Sequence, residues 1–115
     1  MPVKEISSMQ DFHEALSTDG NVVVLDSWAK SCKPCEVIEP VMEDFSEKFS
    51  DVRFYKMNVD AVDDVAQELG ISAIPTILLF RDGLKITEVV GAHTKTIENA
   101  IHEALSFGIH GVGET

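Results

Sequence analysis

Cys32 and Cys35 are the two cysteines of this 115-residue chain, and only Lys33 and Pro34 lie between them. Thiols at that spacing are close enough to form a disulfide and to open it again, which is redox chemistry. They stand in the stretch Asp26-Ser27-Trp28-Ala29-Lys30-Ser31-Cys32-Lys33-Pro34-Cys35, with the only tryptophan and with an acid that ends the apolar run Val22-Val23-Val24-Leu25. A disulfide is broken by a thiolate, so one cysteine has to ionise near neutral pH, well below a free thiol's pKa of about 8.5. Cys32 falls just ahead of a predicted helix, where unpaired N–H groups and the positive end of the dipole favour an anion, while Cys35 falls inside the first turn and is expected to be more buried. Cys32 is therefore the expected nucleophile and Cys35 the expected resolving thiol. Lys33, with Lys30, adds positive charge beside Cys32 and Glu36 opposes it; by proximity Lys33 should make Cys32 more acidic than a glycine there would.

Asp26 follows four apolar residues, so desolvation should raise its pKa and let it carry a proton near neutrality. The competing reading is a strand-end acid that reaches solvent. For the cysteine pair the competing reading is structural zinc, which needs four ligands. No second cysteine pair exists, and His13, His93, His102 and His110 have no pair at H-x₃₋₅-H spacing. No metal site is expected.

The elements that must position these groups can be read along the chain. Val3 to Ile6 is β-prone, and Ser7-Ser8 can cap a helix through Met9, Phe12, Ala15 and Leu16, with Ser8 and Asp11 as a weakened capping box. Thr18-Asp19-Gly20-Asn21 is turn chemistry. The unbroken apolar run Val22 to Leu25 suits a central strand covered on both faces. A helix from about Pro34 to Phe49 has the stripe Ile38, Val41, Met42, Phe45 and Phe49, with Glu36, Glu39, Glu43 and Glu47 on its wet face. Pro34 suits the first turn, whereas Pro40 inside the helix should kink it. Val52 to Val59 reads as a strand, about Val62 to Leu69 as a helix ended by Gly70, and Thr76 to Phe80 as a strand. Asp82-Gly83 marks a hairpin into Lys85 to Val90, Gly91 breaks that strand, and Thr94 can cap a helix through Ile97, Ala100, Ile101, Ala104 and Leu105. The order is β-α-β-α-β-α-β-β-α, one α/β domain over 1–105 with a tail, 106–115, that either frays or folds back.

Twenty acidic against nine basic residues give a formal charge of −11. That charge opposes binding to nucleic acid or to anionic membrane surfaces. The apolar runs are too short to cross a bilayer. The first residues lack the character of a secretory or organellar leader, so a cytoplasmic protein is expected, although a mature form with its leader removed would look the same; a monomer is expected as well.

From Val3 to about Leu105 the chain resembles the thioredoxins. The resemblance rests on Asp26, Trp28 and Ala29, the C-x-P-C run at Cys32 to Cys35, Pro40, Lys56 with Asn58 and Asp60, Ile74-Pro75-Thr76, the Phe80 to Gly83 hairpin and Gly91, all in the family's order and spacing. It implies a thioredoxin fold, a mixed five-stranded sheet flanked by four helices, and a protein-disulfide reductase activity. It also implies that Asp26 accepts the proton of the second cysteine and that Lys56 lies near this acid. Trp28 would shield the cysteines, Pro75 would be cis and face them, leaving the Ile74 backbone to pair with an extended substrate, and Gly91 would let that substrate approach. Without the resemblance, a trans proline opening a strand would be preferred at Pro75, and an exposed strand lysine at Lys56 would be as good a reading.

No cofactor would be bound. Electrons would come from NADPH through a separate flavoprotein thioredoxin reductase, and the clients would be disulfide-containing proteins such as peroxiredoxins, methionine sulfoxide reductases and ribonucleotide reductase. Two departures stand out: the family's usual W-C-G-P-C has Ser31 and Lys33 in place of its tryptophan and glycine, and its common lysine or arginine after the second cysteine is Glu36. Loss of the aromatic surface at Ser31 should narrow recognition by a generic reductase. The alternatives are a disulfide oxidase or isomerase, since the residues between the cysteines tune the redox poise, and a thioredoxin-fold interaction module with little turnover.

Overall fold

Side-chain alternation along the strand Val22–Trp28 sets the layering of the molecule. The computed structural model describes residues 3–17 and 20–113, with only the backbone of 107–113. Readings on Met1, Pro2, Thr18, Asp19, Glu114 and Thr115 lie outside the described residues. In chain order the elements are β1 (Lys4–Ile6), α1 (Met9–Leu16), β2 (Val22–Trp28), α2 (Lys33–Lys48), β3 (Val52–Asn58), α3 (Asp63–Glu68), β4 (Thr76–Arg81), β5 (Leu84–Val90) and α4 (Thr94–Gly113). This is the order expected from the sequence. The α4 backbone continues to Gly113, through most of the segment for which the sequence left fraying and folding back open.

The strands lie in the order β1-β3-β2-β4-β5. β1, β3 and β2 run parallel, and β4 and β5 are antiparallel to their neighbours. Since successive strand residues point to opposite faces, Val22 and Val24 of β2 pack with Val52 and Phe54 of β3 against Ile38, Met42 and Phe45 of α2 and Ile97 and Ile101 of α4. Val23 and Leu25 pack on the other face with Phe12 of α1 and Val65 of α3. The same parity puts Asp26 on the α2 face of β2 and Lys56 on the α2 face of β3, where the two are register partners.

Local chemistry fixes the ends. Ser8 Oγ accepts the Asp11 N–H at 3.0 Å, and the Asp11 carboxylate accepts the Ser7 N–H at 2.9 Å, so the box closes one residue further back than the usual motif. At the β4–β5 turn Asp82 and Gly83 have φ of +53° and +81°, the left-handed pair that a tight two-residue hairpin requires. The Asp82 carboxylate also accepts the Gly20 N–H at 2.7 Å, tying the hairpin to the turn before β2.

A Cβ on Gly83 would meet nothing nearer than the Leu16 carbonyl oxygen at 3.7 Å, so Gly83→Ala tests backbone conformation alone. It should destabilise the protein by about 1 kcal/mol, read as a lower urea midpoint at unchanged slope. An unchanged midpoint would show that the turn tolerates a side chain at this φ.

Candidate active site

The sequence bends sharply where β2 ends. Trp28 closes the strand, and its carbonyl accepts the Val59 N–H at 2.9 Å, fastening the exit of β2 to the exit of β3. Ser31 then takes a left-handed backbone, φ +59°, to turn the chain into α2. No glycine marks that turn, and the sequence carried no signal of it.

Cys32 is the N-cap of α2, and its sulfur accepts the Cys35 N–H at 3.2 Å. Lys33 and Pro34 fill the first helical positions and are exposed, and the missing N–H of Pro34 falls where no helical partner exists. Cys32 and Cys35 form a disulfide with a Cα–Cα distance of 5.2 Å. In this state both cysteines are buried, Cys32 8% and Cys35 5% exposed, so the expected contrast in burial between them is small.

Beside the disulfide lies a cleft of about 260 Å³ lined by Asp26, Trp28, Ala29, Lys30, Ser31, Cys35, Glu36, Glu39 and Lys56. Asp26 forms its floor, 4% exposed. Burial is the largest cause pushing its carboxyl up from 3.8 to about 7; the negative charge of Glu39 adds to the shift and Lys56 opposes it. The expectation from sequence, that desolvation would bring this acid near neutrality, is met by this geometry. Asp26 Oδ1, Ser27 Oγ and Trp28 Nε1 are buried without a hydrogen-bond partner within the protein. Lys56 does not close on Asp26: its ammonium donates to Glu39 Oε2 at 3.4 Å.

The other expected site residues come together at the start of β4. The Ile74–Pro75 bond is cis, and Pro75 lies one residue beyond the Ser27–Thr76 register pair, at the end of β2 that leads to the cysteines. Its carbonyl accepts the Gly91 N–H at 2.8 Å, joining Ile74, Pro75 and Gly91 in one surface. Gly91 has φ +101°, and a Cβ there would stand 2.8 Å from His93 Nε2. His93 was not singled out as a site residue by its sequence context, and Glu39 was assigned to the wet face of α2. Glu39 lies four residues after Cys35, one turn along the same helix face, but that spacing does not separate it from the other glutamates of the wet face.

The family model for thioredoxin matches residues 3–103. The chain belongs to the thioredoxin family. A thioredoxin of Alternaria alternata is 42% identical over 106 residues, covering 92% of this chain and 90% of that one. Among solved structures, the thioredoxin of Malassezia sympodialis superposes with a TM-score of 0.82 at 41% identity, covering 90% of this chain and 93% of that one. A second, at 28% identity and a TM-score of 0.83 over 88% of this chain and 94% of that one, comes from work on thiol resolution in a yeast mitochondrial peroxiredoxin by glutathione and thioredoxin systems. Family membership and the Cys32–Cys35 disulfide together make this thioredoxin a thiol–disulfide oxidoreductase, a protein-disulfide reductase. Thioredoxins need no bound cofactor, and among the described residues no cluster of three or more His, Cys, Asp or Glu gathers to hold a metal.

Asp26 also makes stability depend on pH. Its folded value of about 7 lies above its ordinary 3.8, so its contribution is whole below about pH 4 and is lost as pH rises through 7. The loss amounts to about 4 kcal/mol above pH 8. Oxidised Asp26→Asn should therefore lack this fall, and its urea unfolding free energy should exceed that of the natural protein at pH 8 by more than at pH 4. Parallel pH profiles for the two proteins would contradict the burial argument.

Proposed function

We propose that this thioredoxin reduces client disulfides through Cys32, with Cys35 as resolving thiol and Asp26 as proton acceptor. The observation that carries the reading is the position of Cys32 as N-cap of α2, bonded to Cys35 and beside the cleft floored by Asp26. In the reduced protein the Cys32 thiolate accepts the N–H that its sulfur already meets, at the positive end of the helix. It attacks one sulfur of the client disulfide, which forms a mixed disulfide and releases the first client thiolate. Asp26, as carboxylate, takes the proton of Cys35. The Cys35 thiolate then attacks the Cys32 sulfur, the second client thiolate leaves, and two electrons have passed from the dithiol to the client, whose thiolates take up protons from water.

The Ile74 backbone pairs with an extended client strand, and the bare α-carbon of Gly91 lets that strand approach. Trp28 covers the cysteines from water. The disulfide is returned to the dithiol by a flavoprotein thioredoxin reductase with electrons from NADPH, which makes the chain a carrier in electron transport and cell redox homeostasis. Its clients are disulfide proteins such as peroxiredoxins, methionine sulfoxide reductases and ribonucleotide reductase; the peroxiredoxin work behind one structural relative supports that class. The setting is the cytoplasm, and the chain acts as a monomer on residues 1–105, with 106–115 as an appendage.

Reduction of insulin with NADPH and a thioredoxin reductase is the direct assay. The natural chain should turn over, Cys35→Ser should not, and Cys35→Ser should retain clients as mixed disulfides through Cys32. Trapping that persists in Cys32→Ser but not in Cys35→Ser would reverse the two roles.

Lys33 is exposed at the first helical position beside Cys32, where its charge favours the thiolate, while Ser31 governs how a reductase fits. Lys33→Gly should move the Cys32 titration of the reduced protein to higher pH, followed by the thiolate absorbance. A titration at the same pH would overturn this role for Lys33.

A further inference from the structure

The charged groups facing Asp26 come from every element around the cleft: Lys56 from β3, Glu36 and Glu39 from α2, and Lys30 from the loop after β2. Lys56 is the register partner of Asp26 and shares its face of the sheet. By placement alone its ammonium is the natural counter-ion of the buried carboxyl. It is drawn elsewhere: Lys56 Nζ donates to Glu39 Oε2 at 3.4 Å, and Asp26 Oδ1 is left without a protein partner. Glu39 can do this because its side chain is 59% exposed, so it loses little hydration, while Lys56, at 27%, spans from the sheet to the surface.

The arrangement matters for proton transfer. A carboxylate in contact with an ammonium is a weak base, because the positive charge favours its ionised form. Removing the ammonium from contact restores basicity. We propose that Glu39 is a positioning residue for the resolving step: by holding the Lys56 ammonium at the mouth of the cleft, it keeps that charge off Asp26 and leaves the buried carboxylate basic enough to take the Cys35 proton. Two features agree with it. The negative charge of Glu39 and the positive charge of Lys56 act on Asp26 in opposite directions. The ion pair itself is exposed enough to contribute little to stability, so its removal should leave the fold intact.

The inference rests on Asp26 as proton acceptor, and it is tested without turnover. The Asp26 carboxyl is titrated by carbon-13 NMR in the oxidised protein, in Glu39→Gln, in Lys56→Met and in the double variant. Glu39→Gln frees the ammonium and removes a negative charge, and both changes lower the Asp26 midpoint. The expected fall is roughly half a pH unit, about a threefold loss in the ratio of protonated to ionised acid. In the Lys56→Met background the same substitution should have less than half that effect, because no ammonium remains to be released. An unmoved midpoint in Glu39→Gln overturns the proposal, as does a shift of full size in the Lys56→Met background, which would assign the effect to the charge of Glu39 alone. The acceptor role is read separately, from the rate at which Asp26→Asn resolves a mixed disulfide, so failure of one reading does not pass for failure of the other.

Discussion

A carboxyl group 4% exposed under the first turns of a helix is the constraint around which this chain is arranged. Burial costs an ionised acid its hydration, and the alternative to losing the charge is a partner. Among the described residues Asp26 has no cation within ion-pair distance, so burial outweighs the charge of Lys56 and moves its proton equilibrium to about 7. Every neighbouring element contributes to that outcome. β2 carries the acid on the face that α2 covers, β3 brings a lysine to the same level in register, and α2 draws that lysine away with Glu39.

The same junction divides the chemistry between two kinds of structure. Sulfur chemistry sits at a helix N-terminus, where backbone N–H groups are available without any side-chain charge. The acid proposed to take up the proton sits in the sheet, where strand parity can bury it without breaking the ladder. The two meet because β2 runs straight into α2 with only the turn through Ser31 between them, and because the first turn of α2 points Cys35 back over the strand it came from. The segment that leads into β4 completes the surface through one backbone bond, from Gly91 to the Pro75 carbonyl.

How much of this was legible follows from the range of each signal. The hairpin was legible because Asp82-Gly83 is a local conformational requirement, and β2 because four apolar residues in a row admit few placements. The burial of Asp26 followed from that run, and the cis bond at Pro75 only from the family pattern, since a proline alone favours trans. Glu39 was not legible as a neighbour of Asp26. Its role depends on the distance between a helix and a strand, and in a row of glutamates at helical spacing nothing in the sequence distinguishes the one that meets a lysine. Ser31 was hidden for a different reason: a serine with positive φ is held by its surroundings rather than by its own preference.

The departures from the family's usual run fall at the rim of the site. Ser31, Lys33 and Glu36 are exposed, whereas Asp26, Cys35 and Pro75 beneath them are buried. Substitutions at exposed positions change charge and contact surface without disturbing the packing that fixes distances, while a change below would alter desolvation and with it the proton equilibrium. A rim can therefore diverge to suit particular partners, and tune the Cys32 thiolate by charge, while the packing that holds the dithiol and the buried acid is unaltered. Glu39 stands between these levels: exposed enough to vary without cost to the core, yet in contact with the lysine whose charge opposes the effect of burial on the acid. A residue so placed can retune the proposed proton step from one helical turn beyond the cysteines, without a change in the packing that buries the acid.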